Sequence, residues 1–146
     1  MINILELLII TLMGGVFGVA LTASIVVHPI LLLVKKQTAI EVFKPFFDKT
    51  HIIVLWLSIT ISLLALAISF FTGNWWWFGI SLGMHLNGPF TIFFMMPLNN
   101  RLMSDEVDSN SEETANDLIK WGSLHAVRTV LNGFIFIAFI ALIVFS

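Results

Sequence analysis

The chain has 146 residues, 58% hydrophobic and 11% charged, with a mean hydropathy of +0.99 and a formal net charge of −2. A soluble domain carries about 25% charged residues; here the apolar excess is drawn into long runs, which points to an integral membrane protein, and no basic cluster suggests a nucleic-acid partner. Cysteine and tyrosine are absent, which excludes disulfides, thiolate metal sites and cysteine nucleophiles and leaves four histidines, one intramembrane arginine and a few Asn, Ser and Thr for chemistry.

The first apolar run, about 4–34, opens Met-Ile-Asn-Ile-Leu-Glu without the basic stretch of a signal peptide, so a retained membrane helix is expected. It exceeds the ~20 residues that span a bilayer and must tilt or project. Gly14 and Gly18 make a small-xxx-small pair, a surface suited to a homo-oligomer. Ser24 and His28 share one face, and Pro29 predicts a kink directly after the histidine. Lys35 and Lys36 end the run. Residues 38–47 place Ile40, Phe43, Phe46 and Phe47 at helical spacing among Glu41 and Lys44, which reads as a short amphipathic segment in the membrane interface, interrupted at Pro45.

A second span is expected over 50–71, with His51 at its mouth as a surface residue and Trp56 just over a turn deeper. Gly73-Asn74 makes a tight turn, and Trp75, Trp76 and Trp77 after it read as an anchor at the headgroup level. The third span, 76–97, is interrupted by His85, Asn87, Gly88 and Pro89. Irregular backbone at such a depth is tolerated only against protein or a water-filled cavity. Ser104 to Asp117 holds six acids and no base, a solvated stretch in which Ser109-Asn110-Ser111-Glu112 fits a capping box and predicts a helix start.

The last helix, 110–145, is expected to extend from the cytoplasm into the membrane. It carries His125, Arg128 and Asn132 at i, i+3 and i+7, one polar stripe with Trp121 a turn before it. A cation two or three turns inside an apolar segment costs of order 3 kcal/mol or more in lipid, so something must face it. The predicted fold is all-α, a single domain of four transmembrane helices over residues 1–146. Segments 35–49 and 98–120 hold six of the seven Lys and Arg residues. The positive-inside rule then makes both cytoplasmic loops of an inner- or plasma-membrane protein, with both termini outside.

Depth counted at ~1.5 Å per residue puts His28 and His125 roughly 8–9 Å below the cytoplasmic surface, with Arg128 and Asn87 deeper and His85 and Asn132 near the middle. In an up-down bundle, helices one and four can be neighbours, as can three and four. A pocket open toward the cytoplasmic half is therefore predicted, lined by His28, His85, Asn87, His125, Arg128 and Asn132, with His51 at its rim.

Pro97-Leu98-Asn99 followed by Leu102, then Trp121 with Arg128 seven residues on, resembles the pattern of the anthrone oxygenase-like family of small four-helix membrane proteins. The resemblance extends to length and segment order over essentially the whole chain. It implies the four-helix fold and marks Pro97, Asn99, Trp121 and Arg128. Some members are associated with oxidation of anthrones to anthraquinones in polyketide pathways, while most bacterial members have no established role.

Three readings follow. In the first, the chain is an oxygenase or quinol-type oxidase for a flat lipophilic aromatic drawn from the membrane lipid. His125 or His85 removes a proton, and Arg128 with an Asn stabilises the oxyanion of a carbanion or enolate that reacts with O₂ without a cofactor. His28, Asn87, Asn99, Trp121 and Asn132 would bind the substrate. In the second, His28, His85 and His125 ligate haem or copper through imidazole alone. In the third, the bundle is a non-enzymatic carrier, partner subunit or scaffold.

Overall fold

Lipid offers the backbone no hydrogen bonds, so an apolar chain of this kind must satisfy its amides internally. The computed structural model describes residues 2–145, and among these the apolar runs are helical and no strand forms. The first rod is α1 (Ile2–Thr22), a π turn (Ala23–Val27) and α2 (His28–Leu33). A two-residue break at Val34 and Lys35, both extended in ψ, leads into α3 (Lys36–Thr72). After Gly73 come α4 (Trp76–Met84), α5 (Asn87–Phe90), a second π turn (Thr91–Met95) and α6 (Met96–Met103). The chain ends in α7 (Glu112–Val144).

The prolines account for the irregularities. A proline lacks the amide that would bond the carbonyl four residues back, and its ring crowds that carbonyl. Both π turns are followed by a proline in the same register, Pro29 after Ala23–Val27 and Pro97 after Thr91–Met95. A wide turn relieves the crowding without ending the rod. The irregularity expected at Pro29 takes the form of a wide turn just ahead of it.

Pro45 behaves differently. The expected interfacial segment and the cytoplasmic loop 35–49 are instead the first turns of α3, whose 37 residues run through Pro45 without interruption. The physical reason is packing on both sides of the proline. Ala39, Ile40 and Phe43 are buried before it, and Phe46 and Phe47 pack against the same apolar cluster after it. Gly73 ends the helix in the left-handed conformation, φ 72°, with its amide bonded to the Ser69 carbonyl at 2.9 Å.

Three helical stretches, Ile2–Leu33, Lys36–Thr72 and Glu112–Val144, are long and apolar enough to cross a membrane, by length and composition. The third apolar stretch of the sequence is divided by the turn at His85 and Leu86, where Gly88 and Pro89 follow. The α1 rod packs against α3 and α7, and α4 packs against the same two, so the segments close a ring in the order α1, α3, α4, α7. Their outward faces carry Leu, Ile, Val and Phe side chains, among them Leu33, Phe93 and Phe134, as surfaces turned to lipid do.

Two apolar clusters fill the interior at different levels. One joins Ile9, Met13, Val16, Ile61, Ala65, Ile68, Ile135 and Phe139 near the Gly73 turn. The other joins Leu31, Phe43, Met95, Leu102, Leu118 and Trp121 toward the opposite end. Trp75 and Trp76 are exposed, as an anchor requires, but Trp77 is buried in the first cluster and stacks on Phe139 at 5.8 Å. Consecutive helical residues point about 100° apart, so a run of three cannot all face one way.

The end near the second cluster is clamped by charge. Arg101 donates two hydrogen bonds of 2.6 Å to the Asp117 carboxylate, joining α6 to α7. That pairing raises the guanidinium above its ordinary value, chiefly through the hydrogen bond. Lys44 donates to the Ser104 carbonyl at 2.7 Å and Lys36 to the Asn110 carbonyl at 3.0 Å, so α3 holds both ends of the 104–111 connection. The cap of α7 is Ser111, whose Oγ accepts from the Thr114 amide at 3.0 Å, rather than Ser109 two residues earlier.

Candidate functional site

Between the two apolar clusters lies a polar layer. On α7 it spans His125 to Asn132, between Trp121 of one cluster and Ile135 of the other. The α1 rod contributes Ser24 from its π turn, and the broken segment contributes Asn87 and, from the second π turn, Thr91 and Met95. Both wide turns therefore deliver side chains to this layer.

Arg128 is at its centre. Among the described residues the guanidinium makes one hydrogen bond, Nη1 to the Met95 sulfur at 3.7 Å, and its Nε is buried without a partner. Among the described residues no carboxylate pairs with it. A cation so placed is a strong donor with almost nothing to donate to.

Three cavities adjoin it, each lined by both Arg128 and His51. The smallest, about 40 Å³, is bounded by Trp121, His125, Asn132 and Ala20 among others. A second, about 280 Å³, adds Asn99, Met96 and Thr91. A third, about 290 Å³, opens between α3 and the broken segment and is lined by His85, Asn87, Ser58 and Ile92. Ligand pockets for small molecules begin at about 300 Å³, and the second and third spaces each come close to that size.

Of the residues singled out in the sequence, Trp121, His125, Arg128 and Asn132 meet at the first cavity, Asn99 joins Arg128 at the second, and His85 and Asn87 join it at the third. Asn87 Nδ2 donates to Asn132 Oδ1 at 3.0 Å and to the Met84 carbonyl at 3.1 Å, which ties the broken segment to α7. Its own Oδ1, Asn99 Oδ1 and Trp121 Nε1 are buried without partners. His125 stacks on Trp121 at 4.7 Å, and its Nδ1 lies 3.1 Å from Ser24 Oγ.

His28 is engaged elsewhere, and His85 reaches only the third cavity. His28 lines none of the three cavities; its Nε2 donates to the Leu118 carbonyl at 3.0 Å, and its ring lies directly over Gly122, where any Cβ would collide with it. His85 is exposed and pairs with Ser62 Oγ at 2.9 Å. Among the described residues no three His or acid side chains gather where a metal could be held. The imidazoles of His28, His85 and His125 thus do not converge as a ligand set.

Two further participants complete the layer. His51, expected at the pocket rim as a surface residue, is exposed overall and lines every one of these cavities, where α3, running on past Pro45, carries it against the layer. Its Nδ1 donates to the Phe47 carbonyl at 3.0 Å, which leaves Nε2 as the acceptor. Thr129 escapes a reading of the sequence alone; its spacing of four from His125 is the available signal, and its hydroxyl contacts Ser24 Oγ at 2.7 Å.

The model of the anthrone oxygenase family matches residues 43–138, more than half of the chain and the whole of the polar layer except Ser24. No curated protein and no solved structure matches.

Proposed function

The chain belongs to the anthrone oxygenase family, and from that premise we propose that it is a membrane-embedded oxygenase acting on a lipophilic aromatic of the anthrone or quinol type. The observation that carries the proposal is the unpaired guanidinium of Arg128 at the junction of three cavities. A substrate that becomes anionic during reaction is what such a cation favours, and the effect is largest where water is excluded. Four membrane-crossing segments, the fourth being the broken stretch 76–97, would bury this layer within the bilayer and let the substrate enter from lipid. Residues around 35–49 and 98–120 would then face the cytoplasm, as their lysines and arginines favour.

The chemistry needs one proton acceptor and one anion stabiliser. A base removes the acidic C–H proton of the substrate, the resulting enolate carries its charge against Arg128, and O₂ takes up the electrons. One oxygen atom becomes the new ring carbonyl and the other leaves as water. Histidine, with a usual pKa of about 6.5, is suited to the proton transfer. His125 is favoured because it shares the first cavity with Arg128, and His51 is the other imidazole bordering it. Asn132, Asn99 and Trp121 line the same spaces and would orient the ring system.

The test is turnover of an anthrone by protein purified in nanodiscs, followed as O₂ uptake. Loss of one such donor typically costs about 10²–10³ in kcat, and Arg128→Ala is expected to fall in that range with Arg128→Lys retaining part. Unchanged turnover in Arg128→Ala refutes the assignment.

A further inference from the structure

We infer that Ser24 and Thr129 are positioning residues that hold His125 in the tautomer protonated at Nδ1, leaving Nε2 as the proton acceptor beside Arg128. The inference about the tautomer stands on hydrogen-bond geometry; its consequence for proton transfer rests on the oxygenase reading above.

The proton count decides the direction of the chain. Thr129 Oγ1 lies 3.1 Å from the Ala20 carbonyl and 3.1 Å from the His125 carbonyl, and neither oxygen can donate. The single hydroxyl proton of Thr129 is therefore directed to a carbonyl. Ser24 Oγ is 2.7 Å from Thr129 Oγ1, a separation that needs a proton between the oxygens. With Thr129's proton already engaged, Ser24 is the donor. The contact of 3.1 Å from Ser24 Oγ to His125 Nδ1 then requires the ring nitrogen to carry the hydrogen, and the longer contact of 3.4 Å to Thr129 Oγ1 has the same polarity. The reverse arrangement, Thr129 to Ser24 to Nδ1, would leave two oxygen–oxygen contacts of 3.1 Å with no proton in either.

The relay joins the α1 rod to α7 and is anchored on a backbone carbonyl, so its polarity does not depend on a mobile side chain. Among the described residues Nε2 has no hydrogen-bond partner, and the ring lines the first cavity together with Arg128 and Asn132. Trp121 stacks on the same ring at an interplanar angle of 30°, which fixes its plane. A base must present a lone pair, and the neutral imidazole has only one. Without the relay, the ring could carry its proton on the cavity side and offer none.

The experiment is ¹⁵N NMR of the four histidines in the full-length protein in nanodiscs, with His125 assigned from the His125→Asn spectrum. The expected result is a protonated Nδ1 and an unprotonated Nε2 for His125, with Thr129→Val shifting the ring to a mixture and Thr129→Ser restoring it. Ser24→Ala is expected to act as Thr129→Val does. A protonated Nε2 in the unmodified protein, or a tautomer indifferent to both Thr129→Val and Ser24→Ala, overturns the inference. The nitrogen signals need no substrate, so an Arg128→Ala variant that keeps full turnover refutes the oxygenase reading and leaves the tautomer result intact.

Discussion

The close approach of His28 to Gly122 provides a sharp test of the packing between the first and last helices. A Cβ at residue 122 would meet three atoms of the His28 ring, and the backbone of α7 cannot move away without losing Trp121 from its cluster. In Gly122→Ala the ring must rotate, which breaks its 3.0 Å bond to the Leu118 carbonyl. Losing such a bond costs about 1 kcal/mol, and overpacking adds about 1–3 kcal/mol. Alanine recovers about 1 kcal/mol of helix propensity. The net expectation is destabilisation of about 1–3 kcal/mol.

The control is the same substitution in a His28→Ala background. There the obstacle is gone and only the propensity gain remains, so Gly122→Ala should be stabilising by up to about 1 kcal/mol. Reversible unfolding in mixed micelles with increasing SDS measures both, and the cycle isolates a coupling of about 2–4 kcal/mol between the two positions. If Gly122→Ala stabilises both backgrounds alike, the reasoning fails.

The cap of α7 separates two serines. Ser111→Ala removes the oxygen that accepts from the Thr114 amide and should lower stability by about 1 kcal/mol, whereas Ser109→Ala should change it little; the same unfolding assay decides, and the opposite ranking would restore the capping box at Ser109. Arg128→Met is expected to stabilise the substrate-free protein by about 1–3 kcal/mol while abolishing turnover, because it replaces an unpaired cation by an apolar chain beside Met95. A less stable Arg128→Met protein would indicate that the guanidinium is well solvated where it stands.

Long apolar runs make the helices legible, and the i, i+3, i+7 spacing marks the stripe of His125, Arg128 and Asn132 in the sequence itself. His85, Gly88 and Pro89 marked the break in the third segment, where the chain turns at His85 and Leu86. What escaped was nonlocal. Whether α3 stops at Pro45 depends on Phe43, Phe46 and Phe47 finding neighbours in other helices. Ser24 and Thr129 are 105 residues apart, so no local pattern pairs them. Trp77 read as one of three interfacial tryptophans because its neighbours are; its burial follows from facing Phe139.

The two π turns connect these observations. A regular helix with a proline at position 29 or 97 would crowd a carbonyl and kink sharply. Widening one turn ahead keeps each rod continuous and rotates the preceding residues relative to those that follow. In the first rod that rotation presents Ser24 to His125 while Leu31 still faces the apolar cluster. In the other, it presents Met95 to Arg128 and Thr91 to the cavities while Leu102 stays buried. A straight α-helix could not satisfy both demands with the same sequence, since moving one residue along shifts every later side chain by about 100°. The prolines thus do more than interrupt: they set the register by which polar side chains face inward between two apolar ends.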